Sequence, residues 1–477
     1  MKEEAYNYKE LGLKCGLEIH QQLEGKKLFC SCPAIIRKDK PDFIVRRELR
    51  AAAGETGEID IAALHEQKKA KYFLYQGYKD TTCLVELDEE PPHDVNKDAL
   101  KTAIQIAKLL NCRIVDEIQF MRKTVIDGSN TSGFQRTALI GMNGWIEVNG
   151  KKISIPTVCL EEEACQIIDR KEEYDVYNLS RLGIPLIEIA TGPDIETPGE
   201  CRETAAKIGM VLRSVPGIKR GIGTIRQDVN MSIKNGARVE IKGFQEYKSI
   251  PKVIDNEIKR QLELIKKGRK VEEEVRKAEH DFTTSYLRPM PGAARMYPET
   301  DIKTIKPEEV EIEGVELLEE KAKKLKLLGI SEDLANAAAK MGKADIVLEF
   351  SGRFKNVKPS FIAETIVSIP KTIKRKENID VKPLDSDFEK IFNELDKGNI
   401  AKDSIYNMLL DLGKTGKLDF SKYKLMSDNE LEEEIRKIVA ENKGKPEGMV
   451  IGIAMGKLRG KADAGKIIQM IKKISRS

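Results

Sequence analysis

Two residues that could bind a metal ion alternate along a predicted strand near the start of the chain. In the segment GLEIH at residues 16–20, a strand would place the carboxylate of Glu18 and the imidazole of His20 on one side, about 7 Å apart. Glu188 stands between isoleucines in a second apolar run. A charge inside such a run must be paired, metal-bound or neutralised, because burying it bare is prohibitive.

Three consecutive glutamates, Glu161, Glu162 and Glu163, follow another apolar run. Several carboxylates and one imidazole suit a hard cation such as Mg²⁺, which could hold nucleotide phosphates. The alternative is that these glutamates are solvated and that Glu188 forms a structural ion pair. The sequence contains neither of the glycine-rich phosphate-binding motifs, so side chains would have to hold the phosphates. The available partners are Arg122, Lys123, Arg226 and Asp228, each of which could equally be an ordinary surface or cross-strand charge.

The eight cysteines all lie in the first 201 residues. Cys30 and Cys32 supply one half of a thiolate zinc site, but the only later partner segment contains Cys83 and Glu86 rather than two thiols. Two interpretations stay open: a zinc site made by these four residues, or buried free thiols. No G-x-S-x-G motif is present, so acyl-enzyme chemistry is not expected.

Composition sets the broad class of protein. With 477 residues, 40% apolar and 34% charged, the chain is too long for one core and too apolar to be disordered. The net charge of +4 excludes a uniformly basic nucleic-acid binder. No apolar run approaches the roughly 20 residues needed to span a bilayer, and no signal core begins the sequence, so we expect a cytoplasmic protein without a membrane contact.

A local basic segment lies at the C-terminal end, where residues 442–477 contain nine Lys or Arg and two acidic residues. Such charges could neutralise RNA phosphates, and the scarcity of aromatic residues favours recognition of backbone and shape. The alternative is a solvated helix face. The candidate RNA-binding residues are Lys457, Arg459, Lys461 and Lys466.

The pattern of elements predicts an α+β protein with a β-rich cradle followed by helices. The predicted domains are 1–304, a helical domain at 305–423 and a small helical tail at 424–477. Asn149-Gly150 predicts a hairpin pairing Ile146 with Ile153. A second hairpin turns at 234–236, with Gly236 expected at a bulge, and should pair Val229 with Ile241. Helices are predicted at 97–110, 197–214 and 250–265, with later helices capped by Ser331, Ser360 and Ser427.

Several motifs together resemble the B/E family of tRNA-dependent amidotransferase subunits, from residue 12 to residue 475. The motifs of the family core lie at 16–20, 160–164, 183–190, 226–230 and 239–242. Three further segments, at 80–92, 127–137 and 291–301, are similar to the archaeal E branch rather than the bacterial B branch.

The resemblance implies an enzyme that phosphorylates the side-chain carboxylate of misacylated Glu-tRNA(Gln) with ATP and replaces the phosphate with ammonia, giving Gln-tRNA(Gln). It implies a cradle holding the site, a helical domain and a tail that binds tRNA. It also implies an asparaginase-like D subunit as the source of ammonia, in a heterotetramer of two D and two E subunits. The implied Mg²⁺ ligands are Glu18, His20, Glu161 or Glu162, and Glu188, and the implied ATP-site residues are Lys123, Arg226 and Asp228.

Two departures from the family pattern accompany the resemblance. Archaeal E subunits usually carry a domain similar to part of aspartyl-tRNA synthetase, and here only residues 267–284 fill that region. Glu86 stands where B-branch relatives have cysteine, which leaves the zinc site in question. Two alternative functions remain: a bacterial-type B subunit working with an amidase partner, and a tRNA-binding scaffold without catalysis.

Overall fold

The computed structural model describes residues 6–50, 59, 66–244, 246–290, 296–458, 461–462 and 464–474. The chain divides into two units, Met1–Val315 and Glu316–Ser477. The first unit contains the sheets and the second is helical. This arrangement confirms the predicted α+β class, whereas the predicted boundaries at 304 and 423 stay predictions. Among the described residues, no helix is both long and apolar enough to cross a membrane.

The strands of the first unit form two sheets. The larger one has the order β14-β13-β12-β11-β1-β10-β7-β6-β5-β15, with β4 paired to β6, and the smaller one has the order β2-β3-β9-β8. Strand β1 therefore lies between two strands that come more than 160 residues later. The strands are β1 (Lys14–Gln22), β2 (Phe43–Arg47), β3 (Tyr72–Gly77), β4 (Arg113–Ile114), β5 (Phe120–Thr124), β6 (Phe134–Val148), β7 (Lys151–Glu162), β8 (Gln166–Arg170), β9 (Tyr174–Asn178), β10 (Pro185–Ala190), β11 (Ile225–Ser232), β12 (Val239–Lys242), β13 (Glu274–Ala278), β14 (Thr284–Pro289) and β15 (Met296–Pro298).

Three helices cover the larger sheet at predicted positions: α1 (Lys97–Leu109), α2 (Pro198–Ser214) and α3 (Ile250–Lys266). Asn96 caps α1 by accepting hydrogen bonds from two backbone N–H groups, and Thr197 caps α2 ahead of Pro198 at the first helical position. Their buried faces are mainly apolar, with buried polar exceptions such as Glu257 and Gln261 of α3, so burial of these faces stabilises the packing of helices and sheet.

Both predicted hairpin registers are confirmed. Ile146 pairs with Ile153 across the Asn149-Gly150 turn, and Val229 pairs with Ile241. The predicted reason for Gly236 is wrong, because the left-handed residue of that turn is Asn235, with φ +63°. Gly236 is needed instead for close approach, since a Cβ there would lie 2.1 Å from Oε1 of Gln261.

The second unit consists of short helices. Ser427 caps its helix through a capping box, as predicted, whereas Ser331 precedes its helix without a side-chain cap. The prediction for Ser360 is wrong, because Pro359 begins that helix and Lys358 holds the cap position. The helices are α4 (Leu318–Leu327), α5 (Glu332–Lys340), α6 (Ala344–Arg353), α7 (Pro359–Val367), α8 (Ile369–Glu377), α9 (Asp385–Asp396), α10 (Ile405–Thr415), α11 (Asp428–Glu441), α12 (Glu447–Lys457) and α13 (Ala464–Ile474).

The last three helices enclose an apolar cluster of their own. Its buried members include Leu431 and Ile435 from α11, Ala454 from α12 and Ile471 from α13. Because residues of all three helices share this cluster, the segment from Ser427 onward has the core of a small helical domain.

Candidate active site

A cavity of about 850 Å³ opens on one face of the larger sheet. Its lining comes from β1, β10, β11 and β12 and from charged side chains of β5 and β7. The charged residues that face it alternate along the strands, as the pleat requires, for example Glu18 and His20 on β1 and Glu240 and Lys242 on β12. The residue between the first two, Ile19, is fully buried. The sheet therefore presents polar groups from distant parts of the chain to one space.

The antiparallel register determines which of these groups meet. On β1, His20 lies opposite Glu188 of β10 and Arg226 of β11. Two residues earlier, Glu18 lies opposite Asp228 of β11. Opposite residues of neighbouring strands are the closest side-chain pairs in a sheet, so the strand order itself assembles the charged groups.

The first charged group in the cavity, which we call the imidazole group, consists of His20, Glu161 and Glu188. One ligand atom from each lies within 4.8 Å of the others. Nε2 of His20 is 3.3 Å from Oε2 of Glu188. Nζ of Lys123 donates to Oε1 of Glu161 at 2.7 Å and is 3.7 Å from Oε2 of Glu188.

The pKa values of these three residues move in directions that reflect their coupling. Burial by itself lowers the pKa of His20, but the hydrogen bond to Glu188 and the charge of Glu188 outweigh it and raise the pKa. Burial and the charge of Glu188 raise the pKa of Glu161. Glu188 moves the other way, because His20 and Lys123 overcome the effect of burial and lower its pKa.

The second charged group, which we call the carboxylate group, consists of Glu18, Asp228 and Glu240, again with ligand atoms within 4.8 Å of one another. Lys242 donates to Oδ2 of Asp228 at 2.7 Å and also contacts Glu240. Nδ2 of Asn230 donates to Oε1 of Glu18 at 3.0 Å. Burial and the nearby charge of Glu240 raise the pKa of Glu18. Three carboxyl groups thus lie around the single ammonium group of Lys242.

Both groups have the chemistry that a divalent cation requires. Carboxylate oxygens are hard ligands, and an imidazole nitrogen is a common additional ligand. In the imidazole group a cation would take the place of the proton that His20 shares with Glu188. In the carboxylate group it would offset the excess negative charge. The donor atoms therefore fit the predicted Mg²⁺, with the predicted ligands Glu18 and His20 divided between two adjacent groups.

The three consecutive glutamates do not share one environment. Glu161 and Glu163 line the cavity, whereas Glu162 points to the opposite side, where Arg136 donates to it at 3.0 Å. Strand alternation causes this separation, and it corrects the expectation that Glu162 could belong to the metal site. Glu163 accepts two hydrogen bonds from Arg226, at 2.6 and 3.0 Å.

The structure brings the predicted thiol cluster together on the first unit. Ligand atoms of Cys30, Cys32, Cys83 and Glu86 lie within 4.8 Å of one another. Cys30 donates to Oε1 of Glu86 at 2.8 Å, and Nζ of the buried Lys27 is 3.5 Å from the same oxygen. Burial and the charge of Glu86 raise the pKa of Cys30 and raise that of Cys32 to about 11.

Other predicted residues lie elsewhere. Arg122 is not in the cavity lining and pairs with Glu299 at 2.5 Å. In the second unit, Lys457 pairs with Glu441 at 3.0 Å, and Lys461 and Lys466 are exposed. The predicted Arg459 lies outside the described residues.

Sequence reasoning missed Glu240, Lys242 and Gln135 as site residues. Gln135 donates to Oε2 of Glu161 at 3.0 Å and so fixes that carboxylate from β6. A signal for the first two was present, because the correctly predicted hairpin register places Glu240 and Lys242 on the same face as Asp228. No comparable signal exists for Gln135, since its neighbour in space depends on the pairing of β6 with β7.

One family model covers most of the sheet-containing unit. The family model described as "GatB/GatE catalytic domain" matches residues 13–313, which include every residue of the imidazole and carboxylate groups. The chain belongs to this family of tRNA-dependent amidotransferase subunits.

Within the family, the chain is similar to proteins named as the E subunit of glutamyl-tRNA(Gln) amidotransferase. It is 38% identical to the one of Methanocaldococcus jannaschii, with 98% of each chain covered. It is 35% identical to the one of Archaeoglobus fulgidus, with 99% of each covered. These alignments extend over 621 and 613 positions. Because this chain has 477 residues, both relatives contain sequence that has no counterpart in it.

Proposed function

We propose that this chain is the transamidating subunit that converts misacylated Glu-tRNA(Gln) into Gln-tRNA(Gln), using ATP and ammonia. The observation that carries the proposal is the cavity itself, in which two groups of side chains that could hold a metal ion lie beside Lys123, Arg226 and Lys242. Activation of a carboxylate by ATP requires compensation of phosphate charge at the point of transfer. The cavity contains both possible metal ligands and cationic side chains for such compensation, and these residues lie within the range 13–313 that matches the family model.

The metal ion proposed for the site is Mg²⁺, which would be held by His20, Glu161 and Glu188 and would neutralise phosphate oxygens and orient the triphosphate. The chain's own residues supply the rest. Lys123, bonded to Glu161 and close to Glu188, is fixed at the boundary of the imidazole group, where it can contact a phosphoryl oxygen. Gln135 holds Glu161 from the other side. Such fixed charges stabilise a transferring phosphoryl group without reorganisation.

Arg226 would act on the nucleotide from a fixed position. Its bidentate bonds to Glu163 hold the guanidinium plane at the cavity wall, and a guanidinium retains further N–H groups for a phosphate. Asp228 and Lys242 lie next along the same face. Phosphorylation of the glutamyl side chain then gives an acyl phosphate, which ammonia attacks directly, so no covalent enzyme intermediate is required.

Ammonia for this reaction would come from a partner. We propose an asparaginase-like D subunit, because the relatives given above are named as E subunits of an amidotransferase and so belong to a multi-subunit enzyme. The proposed assembly contains two D and two E subunits. Copurification with an amidase and a small third subunit would contradict this choice of partner and favour a B-type subunit.

The first test removes one charge from the imidazole group. We expect Glu188→Gln to abolish ATP hydrolysis that depends on Glu-tRNA(Gln), because the variant loses the carboxylate that pairs with His20 and lies near Lys123. Affinity for tRNA should stay within about twofold, since the substitution keeps size and hydrogen bonding. The assay contains Glu-tRNA(Gln), ATP, Mg²⁺ and free ammonium, with glutaminyl product and ADP as readouts.

A matched control is Glu147→Gln, because Glu147 is exposed in the β6–β7 hairpin and lies outside the cavity lining. This variant should turn over like the original protein. Normal turnover of Glu188→Gln would remove the metal assignment, and absence of glutaminyl product from the original protein would favour a tRNA-binding scaffold.

A further inference from the structure

The loop between α2 and β11 presents an apolar side chain beside the cavity. Ile222 is fully exposed, and it lies between Gly221 and Gly223, whose φ values are +130° and +81°. An L-amino acid with a side chain adopts such angles only under strain, so the two glycines are required for this projection. Two residues after Thr224, Arg226 enters the cavity wall.

A buried glutamine holds the base of this loop in place. Nε2 of Gln21 donates to the carbonyl oxygens of Lys219 and Thr224, at 2.9 and 3.2 Å. The backbone N–H of Gln22 also donates to Thr224, at 2.9 Å. Hydrogen bonds to β1 therefore fix the base of the loop at the end of strands β1 and β11, so the projection of Ile222 does not depend on a loose loop.

Cations without acidic partners surround the loop. Arg213, at the end of α2, and Arg220, within the loop, are exposed, and neither forms an ion pair with a carboxylate of the described residues. Although Arg213 is exposed overall, partial burial of its guanidinium and the nearby charge of Arg220 lower its pKa. Lys219 donates to the carbonyl oxygen of Ala34. The carboxylates of Glu24 and Glu163 act on Lys219, so the positive charge that lacks an acidic partner is that of the two arginines, which favours an anionic partner.

A partly exposed tyrosine lies at the same end of the strands, in the segment that follows β12. Since Val229 pairs with Ile241, the chain after β12 runs past the start of β11, where the loop lies. Tyr247 follows there, is partly exposed, and lies close enough to Arg213 to influence it electrostatically. The edge surface therefore contains two arginines, an aromatic ring and an isolated apolar tip, and we call it the edge patch (Arg213, Lys219, Arg220, Ile222 and Tyr247).

We propose that the edge patch binds the single-stranded 3′ end and the adjoining acceptor-stem phosphates of the aminoacylated tRNA, an inference that rests on the proposed function. The amino acid is esterified to the 3′ end, so a glutamyl group inside the cavity places the last nucleotides at the cavity edge. Unpaired bases are recognised by aromatic, apolar and guanidinium surfaces, and the phosphates by cations. The patch contains each of these groups.

RNA fits the composition of the patch better than a protein surface does. A protein interface typically buries a contiguous apolar core, whereas here a single isoleucine is surrounded by cations. The arginines supply a salt-sensitive contribution through phosphate neutralisation. Ile222 and Tyr247 supply contacts to base faces that are insensitive to salt. The two contributions can be separated experimentally.

The test measures binding of an acceptor-stem minihelix RNA carrying its 3′ single-stranded nucleotides, by fluorescence anisotropy at several salt concentrations. We expect the double variant Arg213→Ala with Arg220→Ala to bind about tenfold more weakly and to reduce the salt slope by about one to two. We expect Ile222→Ser to weaken binding about threefold to tenfold with an unchanged slope. Removing the single-stranded nucleotides from the RNA should eliminate the effect of Ile222→Ser.

The matched controls use the same residue types at other positions. Arg202→Ala lies on the same helix α2, where its guanidinium already pairs with Glu203, and Ile168→Ser replaces an exposed isoleucine of β8. Both controls should bind the minihelix like the original protein. In the ammonium-dependent assay, the patch variants should raise KM for Glu-tRNA(Gln) and leave kcat nearly unchanged.

The outcomes separate this inference from the proposed function. Unchanged minihelix affinity in both patch variants overturns the inference, even when glutaminyl product forms normally. Loss of copurification with the ammonia-producing partner, with RNA binding intact, also overturns it and assigns the patch to a protein interface. Weaker minihelix binding supports the patch even when the original protein forms no glutaminyl product, a result that would instead contradict the proposed chemistry.

Discussion

At the scale of single residues, three adjacent glutamates show how strand geometry sets chemistry. Burial raises the pKa of Glu161 and of Glu162, but the guanidinium groups of Arg226 and Arg181 overcome burial at Glu163 and lower its pKa to about 2. Glu161 thus lies in the imidazole group, while Glu163 is a permanently charged anchor for Arg226. All three positions are occupied by glutamate, so the direction in which each side chain points determines its role.

The low pKa of Glu163 predicts an acid-dependent loss of stability. A carboxyl group whose pKa falls on folding stabilises the protein fully above its usual value of about 4.5, and this contribution disappears as the pH falls toward 2. The pKa difference between about 4.5 in the unfolded chain and about 2 in the folded protein corresponds to about 3 kcal/mol of folding stability at neutral pH. We expect the free energy of unfolding of Glu163→Gln to lie below that of the original protein at pH 7, and the gap to close between pH 4.5 and 2.

Urea unfolding followed by tryptophan fluorescence measures this gap, because the single tryptophan, Trp145, lies in β6 of the first unit. Glu147→Gln serves as the control, since Glu147 is exposed and should show no pH-dependent difference. A gap that stays constant from pH 7 to pH 2 would mean that Glu163 does not carry a pH-dependent charge.

At the scale of elements, local pairing is predictable from sequence and strand order is not. Asn149-Gly150 predicts its hairpin because turn chemistry and alternation are local signals. The insertion of β1 between β10 and β11 depends on contacts across more than 160 residues, and no window of sequence contains it. The division of Glu18 and His20 between two groups follows from that order. The requirement for glycine at position 236 was predicted from a bulge in the turn, whereas the structure attributes it to close approach of Gln261. That contact is non-local as well, so the local sequence does not contain it.

The thiol cluster is formed by two segments of the first unit, one with Cys30 and Cys32 and one with Cys83 and Glu86. We predict that this cluster binds a zinc ion. Ligand atoms of the three thiols and Glu86 lie within 4.8 Å of one another, and four thiolate or carboxylate ligands are the number that a structural zinc ion takes. Without a cation, Cys30 and Cys32 remain protonated at neutral pH, so metal binding should release protons. We expect about one zinc ion per chain by mass spectrometry, and a lower melting temperature after chelation.

The control for the zinc prediction uses a cysteine outside the cluster. Cys32→Ser should lower the zinc content, whereas Cys112→Ser should retain it, because Cys112 lies beside Gly144 and away from these loops. A metal-free protein whose melting temperature is insensitive to chelation would identify the cluster as buried thiols paired with Glu86 and Lys27.

At the scale of the whole molecule, the chain carries two separate sets of positive charge that suit RNA, the edge patch in the first unit and the basic segment in the second. The relatives contain sequence that this chain lacks, and we propose that these two surfaces supply the affinity of this chain for tRNA. Since the helices from Ser427 onward share one apolar cluster, Lys457, Lys466 and Lys472 lie on folded helices rather than on a free tail.

Removal of residues 427–477 is therefore expected to weaken binding of full-length tRNA about tenfold or more and to flatten its salt dependence, because several phosphate contacts are lost. Minihelix binding should change little, since that RNA engages the edge patch. The truncation begins at the cap residue Ser427 and so keeps the pairing of Ile400 with Lys424.

A charge-only variant distinguishes lost contacts from lost folding. Lys461 and Lys472 are exposed and form no ion pair with a described carboxylate, whereas Lys437 pairs with Glu434 at 2.8 Å. The double change Lys461→Ala with Lys472→Ala should lower the salt slope for full-length tRNA by about one to two, and Lys437→Ala should leave it unchanged. Equal slopes in all three proteins would mean that Lys461 and Lys472 contact no phosphates.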